Sequence, residues 1–221
     1  MKRIYLNALA LLLAGCATTA NKSVDVPTQS TGPDYVVKER SPDPAPDWMR
    51  DFGKWRREND GKGQTYFLGE SGDVNDRISG CDMAALTAKK KIAQQIAELI
   101  TSKIASDKQG RLAIDPNDSN DPGIKRAFEE QVAGKSIAFL SGAREYGNYW
   151  EHRDYSKSNG NKRVFACATV VSISDKDYQA ALLRSSQKAQ DVVEDADAKA
   201  AVKEALKDID KEFSSYQPKS N

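Results

Sequence analysis

Apolar residues recur at helical spacing between residues 82 and 105, and this stretch carries the clearest periodic pattern in the chain. A wide apolar stripe is flanked by polar runs at 89–91 and 94–95. The stripe includes Ala85, Ala88, Ile92, Ile96 and Leu99. The alanines in its first half would let a sheet approach the helix closely. We therefore expect one long helix at the centre of the core.

Strand patterns lie on both sides of this helix. Residues 65–70 are aromatic and apolar and lead into a glycine-rich turn. Residues 163–171 are rich in β-branched side chains and are apolar on both alternating sets, which is typical of a strand covered on both faces. The turn-forming run 156–161 joins that strand to the aromatic stretch 142–155, so these two segments are predicted to form a hairpin. The order strand, long helix, hairpin predicts an α+β fold.

Further helices are predicted before and after this unit. Trp48, Phe52 and Trp55 are spaced by four and three residues, so they lie on one face of a short helix over 46–57 that docks onto the domain. Asp121-Pro122 predicts the start of another helix, and residues 106–121 before it are expected to form a loop. Ser174 followed by Asp177 resembles a weak capping box for a final helix.

The final helix would be more than about 60 Å long if it continued to Tyr216, because each helical residue rises ~1.5 Å. One small domain cannot cover that length, so we expect either a break near residues 184–188 or a partner. Apolar residues at helical spacing mark the last part of this segment. They are Val202, Leu206, Ile209 and Phe213. This stripe is a candidate surface for homo-oligomerisation.

The N-terminus has the three parts of a secretory signal. Two basic residues precede an apolar segment that ends at Leu13, and Ala14-Gly15 supplies the small residues that a signal peptidase requires. The apolar segment is too short for a permanent span, which requires ~20 apolar residues. Leu13-Ala14-Gly15-Cys16 resembles a bacterial lipobox. That resemblance implies cleavage before Cys16, lipid attachment to its thiol and acylation of the new amino group.

The chain divides into four predicted segments. Residues 1–15 are the signal peptide, and Cys16 opens a flexible tether over 16–46 that is rich in Thr, Ser, Pro and Asn. Residues 47–183 form the α+β domain, and 184–221 form a charged amphipathic helix and tail. Aspartate after the lipidated cysteine would indicate inner-membrane retention, but Ala17 stands there. We therefore expect an outer-membrane lipoprotein facing the periplasm, with the cell surface as the open alternative.

Charge and cysteine content limit the classes of partner and the possible states of the remaining cysteines. The 33 Lys and Arg residues nearly balance the 32 Asp and Glu residues, and no block of like charge stands out, so no nucleic-acid partner is expected. If Cys16 carries lipid, Cys81 and Cys167 remain in an oxidising compartment. A disulfide between them and two free buried thiols are both open, because geometry rather than count decides.

Candidate catalytic and metal-ligating residues are few. His152 is the one histidine of the chain and has no His or Cys at metal-ligand spacing, so neither a metal site nor a cofactor is expected. Ser71 misses the nucleophile-elbow pattern by a residue. The oxygen-rich run 115–121 lacks the glycine and the glutamate that an EF-hand loop requires, so it is predicted to be a solvated loop. No enzymatic activity is predicted.

Aromatic residues cluster just before the second strand of the predicted hairpin, at Tyr146, Tyr149, Trp150 and Tyr155. They are a candidate binding face for a glycan such as peptidoglycan or for a partner strand, because aromatic rings give a large contact area at low entropic cost. Ordinary cross-strand packing of the hairpin is the alternative explanation.

Several of these core patterns together resemble a known family. Pro46-x-Trp48, residues 66–70, the alanine-rich helix and the strand over 164–171 are similar to small bacterial lipoproteins typified by the twenty-kilodalton membrane-associated lipoprotein. Flagellar assembly lipoproteins look related. The resemblance covers roughly residues 46–183. It implies a dodecin-like fold, in which a three-stranded antiparallel sheet (β-α-β-β) wraps one long helix and further helices are appended.

These observations favour a non-catalytic structural, assembly or interaction protein of the cell envelope, held to the membrane by its N-terminal lipid. Other envelope proteins, peptidoglycan and a second copy of the chain are the candidate partners. Glycan binding through the hairpin over 146–150 is one alternative function. A role in flagellar assembly, which the family resemblance implies, is the other.

Overall fold

The computed structural model of the protein describes residues 35–155 and 162–209. Within these residues the strands are β1 (Val36–Ser41), β2 (Gln64–Val74), β3 (Arg144–Asp154) and β4 (Arg163–Ser174). The α-helices are α1 (Asp47–Arg50), α2 (Phe52–Asn59), α3 (Arg77–Ser106), α4 (Lys108–Ile114), α5 (Pro122–Ser136), α6 (Asp175–Ala189) and α7 (Ala196–Ala205). Short 3₁₀ helices at Ile137–Phe139 and Gln190–Val192 follow α5 and α6. The α+β prediction is therefore confirmed.

The four strands form one antiparallel sheet in the order β1-β3-β4-β2. β4 lies inside the sheet and is covered on both sides, as the pattern over 163–171 predicts. Val171 and Ile173 pack into the main core with α3, whereas Ala168 and Val170 pack into a second cluster with Trp48 of α1. We call the α3 side of the sheet the inner face and the side of α1 and α2 the outer face.

The inner face and α3 approach each other closely because both carry small residues at the contact. A Cβ placed on Gly69 of β2 would collide with the carbonyl oxygen of Ala84 and the amide nitrogen of Ala88. Both alanines are completely buried. The small-residue half of the helix therefore meets the sheet as predicted, and a side chain at position 69 would force the two elements apart.

Four further helices, α4, α5, α6 and α7, contact α3 and wrap its later turns. Val202, Leu206 and Ile209 are buried in this helical core, so their predicted role as a self-association surface is wrong. The stripe has helical spacing because it packs within its own chain. Phe213 lies outside the described residues. The break in the final helix falls after Ala189, slightly later than predicted, and α6 runs through the boundary expected at residue 184.

A fourth strand corrects the three-stranded prediction. β1 lies inside the segment 16–46 that we expected to be a flexible tether, and it pairs with β3 from Val36↔Asp154 to Ser41↔Trp150. Five of its six residues are exposed, because an edge strand is held by main-chain hydrogen bonds and requires no apolar pattern. The signal segment 1–15 and Cys16 lie outside the described residues.

Aspartate caps explain two smaller differences from the predictions. The helix expected over 46–57 is divided at Asp51, whose carboxylate accepts a hydrogen bond from the Lys54 amide at 2.8 Å and starts a new helix. Similarly, Asp107 accepts from the Gly110 amide at 2.8 Å and begins α4 within the predicted loop. Side chains that favour loops thus also begin helices here.

Candidate functional site

The aromatic residues predicted to form one binding face lie on two faces of the sheet. Tyr149 pairs with Ala168 and Trp150 pairs with Cys167 in the β3–β4 ladder. Because successive side chains of a strand point to opposite faces, Tyr149 lies on the outer face and Trp150 on the inner face. The prediction of a single face is therefore wrong. Tyr146, Tyr149 and Tyr155 lie in adjoining environments of the outer face, whereas Trp150 lies on the inner face.

The first environment is an aromatic cluster on the outer face, which we call the Trp55 cluster. The ring centroids of Trp55, Tyr66 and Tyr146 are 5.0 to 5.4 Å apart in all three pairs. A bulge in β3 between Glu145 and Gly147 frees Tyr146 from the ladder, and its side chain is 53% exposed. Burial raises the pKa of Tyr66, and the neighbouring Tyr146 and Asp60 raise it further. The cluster holds the middle of α2 against the sheet.

Tyr149 is a core residue rather than part of an open face. Its ring is buried in the cluster with Trp48, and its hydroxyl donates a 2.7 Å hydrogen bond to Glu151. Burial, followed by the hydrogen bond to Glu151, raises the pKa of Tyr149 to about 12. The same hydroxyl is hydrogen-bonded to Arg40 of β1. For Tyr149, cross-strand packing is therefore the correct explanation.

Tyr155 belongs to a charged network at the far end of the outer face, which we call the Arg153 network. The Arg153 guanidinium lies 4.4 Å from the centre of the Tyr35 ring and donates to Glu151 at 2.9 Å and to Asp73 at 3.4 Å. The rings of Tyr35 and Tyr155 are 5.3 Å apart. Burial raises the pKa of Tyr155, as does its hydrogen bond to Asp73.

A cavity of about 260 Å³ opens between this network and α1, lined by Met49, Glu70, Tyr149 and Arg153 among others. The charges beside it are already paired: Glu151 with Arg153, and Asp73 with both Arg153 and Lys162. The network therefore joins β1 and the loop end of the hairpin to the rest of the sheet.

Trp150 lies on an open part of the inner face, beyond the first turn of α3. We call this surface the tip patch and define it as Arg77, Trp150, His152 and Phe165. The Phe165 ring stacks on His152 at 4.8 Å and meets Trp150 edge-on at 6.1 Å. The Arg77 guanidinium lies 5.0 Å from the centre of the Trp150 ring. The three rings are only half-buried, because α3 begins at Arg77 and leaves the sheet uncovered there.

The tip patch can make stacking and hydrogen-bonding contacts with a ligand. Exposed ring faces stack on the apolar face of a sugar or on another ring, and Arg77 supplies planar hydrogen-bond donors beside them. Sequence reasoning had identified Trp150 as a binding residue and His152 as a lone edge-strand residue, but it missed Arg77 and Phe165. The sequence did contain one signal for this patch: Trp150 and His152 are two residues apart in a strand, so both lie on the same face.

Cys81 and Cys167 form a disulfide, which resolves the alternative that the sequence left open. Their Cα atoms are 5.0 Å apart, and the bond joins the second turn of α3 to the middle of β4. The nearby Ser71 hydroxyl accepts a hydrogen bond from the Cys167 amide at 3.0 Å. Ser71 therefore has a structural contact at the bulge of β2.

The oxygen-rich run over 115–121 caps helices and forms local contacts. The Ser119 hydroxyl donates to the Asp115 carboxylate at 3.0 Å, Asp118 pairs with Arg111 at 2.9 Å, and Asp121 caps α5 through the Gly123 amide at 2.7 Å. Over residues 35–155 and 162–209, no group of three His, Cys, Asp or Glu side chains is arranged to hold a metal ion. Nor does any helix in these ranges have the length and apolarity to cross a membrane.

The resemblance to small bacterial lipoproteins stays a prediction from the core patterns of the sequence. Comparisons with protein-family models, curated proteins and solved structures found no match to this sequence.

Proposed function

We propose that this protein is a lipid-anchored, non-catalytic interaction protein of the bacterial cell envelope, facing the periplasm from the outer membrane. The observation that carries the proposal is the Cys81–Cys167 disulfide. Disulfides persist mainly in oxidising compartments such as the periplasm. The disulfide therefore agrees with the export that the N-terminal signal and lipobox-like sequence indicate.

Lipid attached to Cys16 would supply the membrane contact. Each buried methylene of an acyl chain contributes ~0.8 kcal/mol, and two or more chains suffice for stable anchoring. Because β1 begins at Val36, any linker between the lipid and the folded domain is confined to residues 17–35. The domain would therefore work closer to the membrane than a tether ending at residue 46 allows.

The anchor is tested by Cys16→Ser in cells grown with a labelled fatty acid. We expect the parent to carry label and to fractionate with the outer membrane, and the variant to lose both properties. The Cys81–Cys167 disulfide should persist in any exported variant on non-reducing gels, which serves as the folding control. Undiminished labelling of the variant would contradict the assignment of Cys16.

The interaction role is supported by the structural contacts of the two side chains that sequence analysis considered for catalysis. Ser71 is hydrogen-bonded at a bulge, and His152 stacks on Phe165. Crosslinking of the native lipoprotein in intact envelopes, followed by mass spectrometry, tests the role directly. We expect adducts with envelope proteins, with a second copy of the chain or with peptidoglycan. A chain that yields no adduct under conditions that crosslink other lipoproteins would contradict the proposal.

We further propose that β2, α3, β3 and β4 are the dodecin-like unit implied by the family resemblance, with β1 and the other helices added to it. The support is the shared order of strand, long helix and hairpin, together with the close contact of Gly69 with α3. An experimental structure of the full chain, superposed on a member of that family, tests this assignment. A different strand order in the relative would refute it.

Glycan binding at the tip patch is the second candidate function. The observation that favours it is the group of half-buried rings around Phe165, with Arg77 beside Trp150. Trp150→Ala in the detergent-solubilised lipoprotein should reduce pelleting with purified peptidoglycan sacculi at least ten-fold. Tyr146→Ala is the matched control, since Tyr146 is an exposed ring on the outer face of the same strand. Equal pelleting by both variants, or none by the parent, would eliminate this function.

A further inference from the structure

Exposed large apolar side chains concentrate on the first turns of α3. Ile78 is 67% exposed, Met83 49% and Leu86 46%. On the same side of the helix but farther along, Ala93 and Ala97 are buried, because α5 packs there. The apolar face of α3 therefore continues past the end of α5, where the described part of the chain supplies no cover.

Two opposite charges flank the centre of this exposed face. Asp82, Leu86 and Lys90 are spaced by four residues, so they form one row along the helix. Neither Asp82 nor Lys90 has an opposite charge three or four positions away in the sequence. Both are exposed, and neither forms an ion pair with any residue of 35–155 or 162–209. The row is thus an apolar centre between two uncommitted charges of opposite sign.

We propose that this face pairs with the same face of a second copy of the chain, with the two α3 helices antiparallel. In a two-fold arrangement residue i of one copy contacts residue j of the other and j contacts i in return, so only a residue on the axis meets its own counterpart. If the axis passes at Leu86, the two Leu86 side chains meet, and Asp82 of each copy faces Lys90 of the other. The pair of chains then forms the Asp82–Lys90 contact twice.

The charges also select the direction of pairing. A parallel arrangement would bring Asp82 against Asp82 and Lys90 against Lys90, and like charges in contact disfavour that register. In the antiparallel arrangement Met83 meets Lys89, whose aliphatic stem can cover an apolar side chain while its ammonium group stays in water. The charge pattern thus specifies an antiparallel pair.

A membrane anchor would favour such a pair without being required for it. The surface on three helical turns is smaller than the ~1,600 Å² of a standard stable interface, so the pair is weak in dilute solution. Confinement of the chains to a membrane raises their effective concentration, which strengthens a weak contact without new interactions. This inference goes beyond the proposed function, because it specifies the surface and the direction of self-pairing and does not depend on the lipid anchor.

Cysteine crosslinking of the full-length lipoprotein in intact envelopes tests the pairing. Leu86→Cys should yield a disulfide-linked dimer on mild oxidation, at least ten-fold more than Ser102→Cys, an exposed position on the same helix outside the row. Adding Asp82→Lys to Leu86→Cys should reduce the dimer at least five-fold, because two lysines then face each other. The combination Asp82→Lys with Lys90→Asp should restore it to within two-fold.

Three results would overturn the proposal: Leu86→Cys crosslinks no better than Ser102→Cys, the product has a mass other than twice that of the chain, or the charge exchange fails to restore the dimer. Recovery in the exchanged variant also shows that Asp82→Lys permits folding. Self-pairing can be tested separately from the lipid anchor. A chain with both Cys16→Ser and Leu86→Cys should lose membrane attachment but still form the crosslinked dimer when the purified protein is concentrated.

Discussion

The inner and outer faces of the sheet are covered in different ways. On the inner face, α3 lies so close to β2 that Gly69 leaves no room for a Cβ beside the backbone of Ala84. On the outer face, α1 and α2 cover part of the sheet with large rings, and the buried Tyr149 hydroxyl joins a chain of polar contacts through Glu151 to Arg153. Close packing between backbones stabilises the inner face, whereas hydrogen bonds and ion pairs stabilise much of the outer face.

This difference determines which substitutions each face of the sheet should tolerate. Close packing between backbone atoms cannot adjust to an added methyl group, because neither element has a flexible side chain that could move away. A network of hydrogen bonds tolerates changes of size at its edges but responds to protonation and loss of charge. Substitutions on the inner face should therefore affect global stability, and those on the outer face should produce effects that are smaller, dependent on pH or local.

The largest effect is expected from removing the disulfide of the inner face. Cys81 and Cys167 are 86 residues apart in sequence, and opening a loop of that length should lower the free energy of unfolding by about 4.6 kcal/mol through the entropy of the unfolded chain. The variant with Cys81→Ser and Cys167→Ser should show this loss in urea denaturation. Parent protein under strong reductant should approach the variant. A loss below about 1 kcal/mol would show that α3 packing alone fixes the inner face.

The close contact at Gly69 should give the next largest effect. Gly69→Ala places a methyl group against the α3 backbone, and we expect a loss of about 2–3 kcal/mol, typical of overpacking. Gly134→Ala is the matched control. Apart from its chain neighbours and the backbone of its own helix, no atom lies within 4 Å of its added Cβ. Alanine is the better residue within a helix, so this variant should be about 0.5–1 kcal/mol more stable than the parent. Equal responses in thermal unfolding would contradict the distinction between tight and open contacts.

The inner face was largely predictable from the sequence because its packing leaves a periodic pattern. Alanines at helical spacing predict a close sheet contact, and Ala84 and Ala88 provide it. The stripe at Val202, Leu206 and Ile209 was also visible, but periodicity shows only that a face is covered and not by what. The same chain covers it, because α6 ends at Ala189 and α7 packs against α4 and α3.

The outer face and β1 were harder to predict because their contacts depend on register and on long-range pairing. Alternation separates Tyr149 from Trp150 in any straight strand, so their opposite faces could have been predicted. The bulge at Tyr146 and the approach of Arg40 to Tyr149 depend on which residues meet across strands. A polar edge strand has no apolar pattern, so the composition of residues 36–41 indicated a tether.

Raising the pH should lower the stability of the protein through ionisation of the buried Tyr149 hydroxyl on the outer face. The folded pKa of Tyr149 is raised to about 12 from about 10 in the unfolded chain. Its contribution is therefore fully present below pH 10 and is lost as pH rises through 12. Linkage gives a loss of about 1.4 kcal/mol between pH 8 and pH 11. Tyr149→Phe should reduce the drop measured by urea denaturation by that amount, and an unchanged drop would contradict the assignment to the Tyr149 hydroxyl.

The smallest expected effect is local and concerns how β1 is held. Arg153→Met keeps an aliphatic stem but loses the contacts with Tyr35, Glu151 and Asp73, which should reduce local stability by about 1 kcal/mol. Hydrogen exchange of the β1 amides should then accelerate about five-fold, while the amides of β4 stay protected. Arg50→Met is the control, since Arg50 pairs with Asp47 at 3.9 Å on the exposed surface. Equal acceleration in β1 and β4 would mean that the Arg153 network supports the whole sheet, and the two faces would then differ less than their contacts indicate.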